Sequence, residues 1–115
     1  MASKDHAEWE SVCGIDDIVP DTGVCALVDG EQVAVFRMAS GELHAIGNVD
    51  PYSGAAVLSR GLVGDIGGRL VVASPIHKQH FDLRTGACLE SPALGVPAWQ
   101  VRCEDGRVQV RRGTA

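Results

Sequence analysis

Closely spaced glycines leave this chain no room for long helices. Fourteen glycines divide its 115 residues into short runs rich in Val, Ile and Leu. No run shows the sustained 3.6-residue period of an amphipathic helix. Short apolar runs between turn residues are typical of strands. The sequence therefore predicts an all-β domain of about eight or nine antiparallel strands, as a sandwich or barrel. Residues 14–20 could hold one helical turn at most.

Turn dipeptides place the predicted hairpins. Asp29-Gly30 tolerates positive φ and favours a tight turn, and Glu104-Asp105-Gly106 predicts a second one. Between Gln32 and Arg37 the residues alternate, so Val33 and Val35 should share one face of a strand. The predicted strands cover residues 9–13, 24–28, 32–37, 43–46, 69–73, 80–83, 98–103 and 107–111, with a glycine-rich hairpin before the fifth.

Length and charge limit the classes of protein that the chain could be. The length fits one domain, residues 1–115, in which we expect residues 1–8 to form a flexible N-terminal tail. The formal net charge of −5 argues against nucleic-acid binding, which needs a basic surface. No apolar run is long enough for a membrane span, and the polar N-terminus does not resemble a signal peptide. The expected location is the cytoplasm.

The four cysteines, Cys13, Cys25, Cys88 and Cys103, are widely separated in the sequence. Their spacing does not match a zinc knuckle, in which two cysteines lie a few residues apart. Each has apolar or β-prone neighbours, so we expect buried free thiols that pack as small hydrophobic groups. Disulfides are not expected in the cytoplasm.

Two irregular segments, residues 48–55 and 74–82, are the informative part of the sequence. They are separated by the glycine-rich hairpin and one strand. Long irregular segments inside a compact domain are usually functional or disordered.

This pair of segments resembles the two cluster-binding loops of the Rieske domain. In that family each loop supplies one Cys and one His to a [2Fe–2S] cluster. The loop patterns are Cys-x-His and Cys-Pro-x-His-Gly-x-x-Phe. On these patterns Asn48 and Asp50 occupy the Cys and His positions of the first loop. Ser74 and His77 occupy those of the second loop, where Pro75 and Phe81 match as well.

The resemblance implies a Rieske-like fold, with both loops at one tip, that lacks the ligands of its cluster. Only His77 keeps the ligand type, and both thiolates are replaced by neutral oxygen donors. Asn48, Asp50, Ser74 and His77 are therefore interpreted as vestigial ligand positions, and no [2Fe–2S] cluster is expected. If Asp50 and His77 face each other across the loops, the hypothesis is that an ion pair or hydrogen bond between them ties the loops together in place of the cluster.

A longer ordered set of residues is similar to the small subunit of assimilatory NAD(P)H nitrite reductase. The similarity runs from about Trp9 to Val110. The matching segments are Asn48-x-Asp50-Pro51-Tyr52-Ser53-Gly54-Ala55, Leu58-Ser59-Arg60-Gly61, Ala73-Ser74-Pro75 and Phe81-Asp82-Leu83-x-Thr85-Gly86.

This resemblance implies a partner. The large subunit of such an enzyme is the catalytic one and carries FAD, a [4Fe–4S] cluster and siroheme, with which it reduces nitrite to ammonium using NAD(P)H. The present chain would be a non-catalytic accessory subunit without a cofactor. Tyr52, Arg60 and Lys78 are the candidate partner contacts, because Tyr52 and Lys78 lie in the irregular segments, Arg60 follows the first segment closely, and Tyr and Arg are enriched at interfaces.

Three alternatives stay open from the sequence. The chain could be a Rieske-type ferredoxin that carries electrons on a cluster with unusual ligands. It could instead be a stand-alone metal-binding β-domain that uses Asp50, His77 and His80. The third alternative is a β-barrel interaction module unrelated to nitrite.

Overall fold

The computed structural model describes residues 8–113. The predicted flexible tail at residues 1–8 lies outside the described residues except for Glu8, which is exposed and precedes the first strand. The nine strands are β1 (Glu10–Gly14), β2 (Thr22–Val28), β3 (Glu31–Arg37), β4 (Leu43–Gly47), β5 (Leu62–Ile66), β6 (Arg69–Ala73), β7 (His80–Asp82), β8 (Ala98–Glu104) and β9 (Arg107–Arg112). Single 3-10 turns lie at Ile15–Asp17, Leu58–Arg60 and Pro92–Leu94.

The strands form two antiparallel sheets. The larger has six strands in the order β1-β9-β8-β4-β3-β2, and the smaller has three in the order β5-β6-β7. The larger sheet curls until its two edge strands, β1 and β2, come into contact, so it nearly closes into a barrel. The prediction of an all-β fold is confirmed. None of the described residues forms a helix of the length and hydropathy that a membrane span requires.

Strand alternation divides the apolar side chains between two cores. Val33 and Val35 point into the barrel, while Ala34 and Phe36 point outward beneath the smaller sheet. The barrel core consists of Ile18, Val28, Val33, Val35, Ala45, Trp99, Val108 and Val110. The inter-sheet core consists of Ala34, Phe36, Met38, Ile46, Leu58, Val72, Phe81, Leu83 and Cys88. The inter-sheet core lies directly under the two irregular loops.

Strand β5 is the element that the sequence located least well. It forms the first half of the glycine-rich hairpin and pairs only with β6. As an edge strand it leaves Leu62 and Ile66 exposed, so the inward and outward residues do not differ clearly in polarity. Tight turns were easier to recognise. At Asp29-Gly30 both residues have positive φ, as the dipeptide predicted.

The prediction of four buried thiols is wrong for half of them. Cys88 is buried and Cys13 is half-buried, but Cys25 and Cys103 are exposed. Cys25 lies on the edge strand β2, and Cys103 lies at the end of β8, next to a hairpin turn. Strand position decides the exposure of these two residues, and their neighbours in the sequence did not indicate it. All four thiols are free.

Candidate functional site at the loop tip

The two irregular loops have the same backbone design. Loop 1 follows β4 and turns at residues 50–54, where the Gly54 N–H donates to the Asp50 carbonyl at 2.7 Å. Loop 2 follows β6 and turns at residues 74–78, where the Lys78 N–H donates to the Ser74 carbonyl at 3.0 Å. In both loops the first side chain also accepts the backbone N–H two residues on. Such side-chain acceptors are what Asp and Ser supply in tight turns.

The first residues of the two turns meet in a buried hydrogen bond. Ser74 Oγ donates to Asp50 Oδ2 at 2.5 Å, and both residues are 0% exposed. The other carboxylate oxygen of Asp50 accepts the Tyr52 N–H at 2.8 Å. Both oxygens therefore have protein partners in a place from which water is excluded, as buried polar groups require. This bond joins loop 1 to loop 2 and confirms that both lie at one tip.

The predicted contact between Asp50 and His77 is wrong. Asp50 is occupied by Ser74 and by the Tyr52 N–H, whereas His77 is exposed at the outside of loop 2. The ring of His77 instead lies near that of Tyr52, with 6.2 Å between centroids and 44° between planes. The reason is the turn itself, because it directs residue 74 inward and carries residue 77 out to solvent.

Asn48 anchors loop 1 to the barrel. Its Oδ1 accepts the Ser59 N–H at 2.7 Å, and its Nδ2 donates to Gln32 Oε1 at 3.2 Å and to Cys25 Sγ at 3.3 Å. The side chain is 1% exposed. The amide thus holds the 3-10 turn Leu58–Arg60 against β2 and β3. We call Asn48, Asp50 and Ser74 the inner seat.

We call the four remaining candidates the outer tip: Tyr52 in loop 1, His77 and Lys78 in loop 2, and Arg60 at the end of the 3-10 turn Leu58–Arg60 that Asn48 holds. Tyr52 is half-buried and the other three are exposed. No carboxylate oxygen from residues 8–113 lies within 4 Å of the charged group of Arg60 or Lys78. The outer tip is therefore cationic on a chain whose net charge is −5.

A third turn has the same design as the two loops. The Gly86 N–H donates to the Asp82 carbonyl at 2.7 Å, and Asp82 Oδ1 accepts the Arg84 N–H at 2.7 Å. Gly54, Lys78 and Gly86 end the three turns, and all have left-handed φ, of 76°, 66° and 80°. Glycine adopts this conformation freely, whereas a residue with a side chain is strained in it. Lys78 occupies the Gly position of the Rieske loop pattern.

Behind the outer tip runs a chain of polar contacts that the sequence did not predict. The Tyr52 hydroxyl lies 3.5 Å from Cys88 Sγ, which lies 3.8 Å from Glu90 Oε1. Glu90 also accepts the His80 N–H at 2.8 Å and lies 2.6 Å from its ring Nδ1. The hydrogen bond with Cys88 raises the pKa of Tyr52. Desolvation opposes ionisation of Glu90, but the contacts with His80 lower its pKa overall. Nothing in the spacing of these residues signals the contacts.

The possible metal ligands do not converge. Asp50 is buried against Ser74, His77 is exposed, and His80 contacts Glu90. Within residues 8–113, no group of three His, Cys, Asp or Glu side chains is placed to hold a metal ion.

The inner seat does not fit a [2Fe–2S] cluster. Thiolates hold such clusters, and the two thiolate positions carry an amide and a hydroxyl. The polar atoms of Asp50 and Ser74 are directed at each other and at backbone N–H groups. Those of Asn48 are directed at the Ser59 N–H and at the side chains of Gln32 and Cys25. The hydrogen bond between Ser74 and Asp50 spans the space between the loops that a cluster would have to fill.

Comparisons with known proteins agree with this geometry. The family model described as a Rieske-like [2Fe–2S] domain matches residues 8–111. The chain is 50% identical over 106 residues to the nitrite reductase (NADH) small subunit of Salmonella typhimurium, covering 91% of this chain and 98% of that protein. It superimposes with a TM-score of 0.89 on a Mycobacterium tuberculosis crystal structure provisionally named an NADH-dependent nitrite reductase small subunit. That structure is 50% identical, with 95% of this chain and 98% of that one covered.

A third relative differs in length. The nitrite reductase [NAD(P)H] large subunit of Klebsiella oxytoca is 40% identical over 102 residues, which cover 89% of this chain but only 11% of that protein. A segment similar to most of this chain is thus part of a much longer polypeptide. From the family match and these relatives, the chain belongs to the Rieske-like domain family, among the small subunits of nitrite reductase.

Proposed function

We propose that this chain is the accessory small subunit of an NAD(P)H-dependent nitrite reductase, which it joins without carrying electrons. The observation that carries the proposal is the buried hydrogen bond between Asp50 and Ser74, at the positions where a Rieske domain would hold cluster ligands. A folded loop tip without thiolates suits a binding surface better than a redox centre. The kinship with nitrite reductase small subunits supplies the partner.

The proposed contact surface is the outer tip. The hydroxyl of Tyr52 contacts Cys88 Sγ on the inner side of the loop, so its ring is already oriented before a partner binds. Arg60 and Lys78 lack a carboxylate within 4 Å among the described residues, so their charges are available to an acidic partner surface. The strained backbone of Lys78 supports a role for its side chain, because glycine would suit that position better for stability alone.

The redox cofactors are proposed to reside in the partner. Siroheme, a [4Fe–4S] cluster, FAD and the NAD(P)H site all belong to the large catalytic subunit in this proposal. The proposed location of the complex is the cytoplasm, and four free thiols suit such a reducing compartment. The Klebsiella oxytoca relative, in which a similar segment belongs to a large subunit, supports one copy of this chain per large subunit.

The first test is chemical analysis of the chain purified without oxygen. We expect a folded, colourless protein with no stoichiometric iron or sulfide. A brown protein with about two irons per chain, the Rieske content, would identify an electron carrier and overturn the non-redox role. Stoichiometric zinc or manganese would instead favour the stand-alone metal-binding domain.

The second test combines the chain with the large subunit from the same organism. We expect the two to co-purify and to catalyse nitrite-dependent NAD(P)H oxidation. Replacing Tyr52 and Lys78 with alanine should weaken binding by about tenfold, a loss typical of central interface residues. The matched control is Arg84→Gln, an exposed cation outside the two loops, which should leave the affinity unchanged. Equal losses in both variants would contradict the proposed contact surface.

A further inference from the structure

A second cationic surface lies on the barrel wall formed by β8, β9 and β1. The outward-facing side chains there are Arg102, Arg107 and Arg111, together with Trp9 just before β1. We call these four residues the arginine wall. Their cross-strand partners on β8 and β9 are polar, namely Gln100, Gln109 and Glu104.

Cross-strand hydrogen bonds hold the guanidinium groups in place. Arg111 Nε donates to Gln100 Oε1 and Arg102 Nε donates to Gln109 Oε1, each at 2.7 Å. Arg107 Nε donates to Ser11 Oγ at 3.0 Å. These acceptors are neutral, so they orient the arginines without cancelling their charge. An oriented guanidinium loses less conformational entropy when it binds a carboxylate.

Trp9 fixes two of these arginines further. The guanidinium carbons of Arg102 and Arg111 lie 4.3 and 4.4 Å from the centroid of its ring. Both distances are within the range of a cation–π interaction. Trp and Arg are also the residue types most enriched among energetically dominant interface positions.

The wall carries an excess of positive charge. Glu104, 3.7 Å from Arg102, is the single carboxylate within 4 Å of these three arginines among residues 8–113. The neighbouring Arg112 differs, because it pairs with Glu31 and lies over Trp99. Three oriented cations with one counter-charge, on a chain of net charge −5, form a local site for an acidic partner.

The position of the chain ends indicates which partner this is. Trp9 precedes β1, Arg111 lies near the end of β9, and the two strands pair through Glu10 and Val110. Both ends of the described chain therefore lie at this wall. In the Klebsiella oxytoca relative, the similar segment must join the rest of the large subunit at one or both ends. The remainder of that polypeptide therefore leaves the domain beside the surface that corresponds to the wall.

We propose that the arginine wall is a second binding surface for the large subunit, and that it takes an acidic segment of that protein. The proposal rests on the proposed function, which supplies the large subunit as partner. It differs from the outer tip in its residues, its strands and the neutral partners that orient its cations.

The test measures binding of the intact chain to the purified large subunit at low and high salt. The wall variant combines Arg102→Gln with Arg111→Gln. Each new glutamine can still form a hydrogen bond with the cross-strand glutamine opposite it, Gln109 or Gln100. The matched control is Arg112→Gln on the same strand. We expect the wall variant to bind about tenfold more weakly at low salt and to depend less on salt, with the control within about twofold of wild type.

The outcomes separate the two proposals. Wild-type affinity and salt dependence in the wall variant would overturn the arginine wall while leaving the proposed function intact. A wild-type chain that does not bind the large subunit would overturn the proposed function, and the wall proposal with it.

Sedimentation of the chain alone adds a third outcome. A wild-type dimer that the wall variant does not form would assign the wall to a second copy and overturn the large subunit as its occupant. Urea unfolding of each variant verifies folding, and Arg111→Gln alone replaces the double variant if that one is unfolded.

Discussion

The inner seat and all of the outer tip except Arg60 come from the same two loops, yet their side chains meet opposite environments. In the inner seat, Asn48, Asp50 and Ser74 are buried, and their polar atoms are paired with protein atoms. In the outer tip, Arg60 and Lys78 are exposed and have no carboxylate within 4 Å among the residues described. Burial makes an unpaired polar group costly, whereas exposure makes it nearly free. The loops can therefore hold their shape from inside and leave the outside available for binding.

Lys78 combines, within one turn, a backbone that shapes the loop and a side chain that belongs to the outer tip. Its backbone belongs to the hydrogen-bonded design that Asp50–Gly54 and Asp82–Gly86 share, and these other two turns end in glycine. Its side chain belongs to the outer tip. Stability alone favours glycine at this position, so the lysine indicates that its side chain serves binding at the outer tip rather than folding.

Removing the carboxylate of the inner seat should have the largest effect. Asp50→Ala leaves the buried Ser74 hydroxyl and the half-buried Tyr52 N–H without an acceptor, and should lower the free energy of unfolding by about 3 kcal/mol. Urea denaturation followed by circular dichroism measures the loss. The control is His77→Ala in the outer tip, which should change stability by less than about 0.5 kcal/mol. Similar losses of unfolding free energy in the two variants would contradict the distinction between the inner seat and the outer tip.

Removing the donor of the same bond should cost less. Ser74→Ala leaves one oxygen of Asp50 without a partner while its other oxygen still accepts the Tyr52 N–H. We expect a loss of about 1.5 kcal/mol in the same denaturation assay. Ser53→Ala is the matched control, because that exposed serine accepts an N–H within the same kind of turn and its loss should be near zero. A neutral Ser74→Ala would show that the bond between the loops does not stabilise them.

Acid should weaken the third turn, at the foot of loop 2. Burial of Asp82 opposes its ionisation, but the N–H groups of Arg84 and Thr85 and the guanidinium of Arg69 lower its pKa overall, below the ordinary 3.8. Ionised Asp82 stabilises the folded chain because its pKa is lower there than in the unfolded chain. This stabilisation is complete above the ordinary pKa and is lost as the pH falls through the lowered pKa of the folded state. Between about pH 5 and pH 3, wild type should therefore lose about 1 kcal/mol more than Asp82→Asn. Parallel pH profiles of the unfolding free energy would contradict this.

Lys78→Gly should have the smallest effect on stability and the opposite sign. Glycine relieves the left-handed strain but loses more conformational entropy on folding, so we expect a gain of about 0.5 kcal/mol. Binding to the large subunit should weaken at the same time, because the variant lacks a cation of the outer tip. The comparison is Gly54→Ala, which should destabilise loop 1 because its φ is also left-handed. A stabilised variant that binds as wild type would remove Lys78 from the contact surface.

Local rules predicted most of the fold. Asp29-Gly30 and the alternation from Val33 to Phe36 are decided by neighbouring residues, so hairpin and strand could be located from the sequence. The edge strand β5 and the exposure of Cys25 and Cys103 could not, because they depend on which strand lies beside them. In the site, Asn48, Asp50 and Ser74 were identified as positions from the loop patterns, but their bonding partners were not.

An all-β domain with two Rieske-like loops that lack thiolate ligands could be predicted from the amino-acid order alone, because strand alternation, turn residues and ligand chemistry are local properties. The folded chain was needed to show that Asp50 bonds Ser74 rather than His77, that the Tyr52 hydroxyl contacts Cys88, and that Trp9 contacts Arg102 and Arg111. Each of these contacts joins residues more than twenty positions apart. Such pairs meet only when distant strands have paired or the two sheets have packed, so the spacing of residues along the chain does not reveal them.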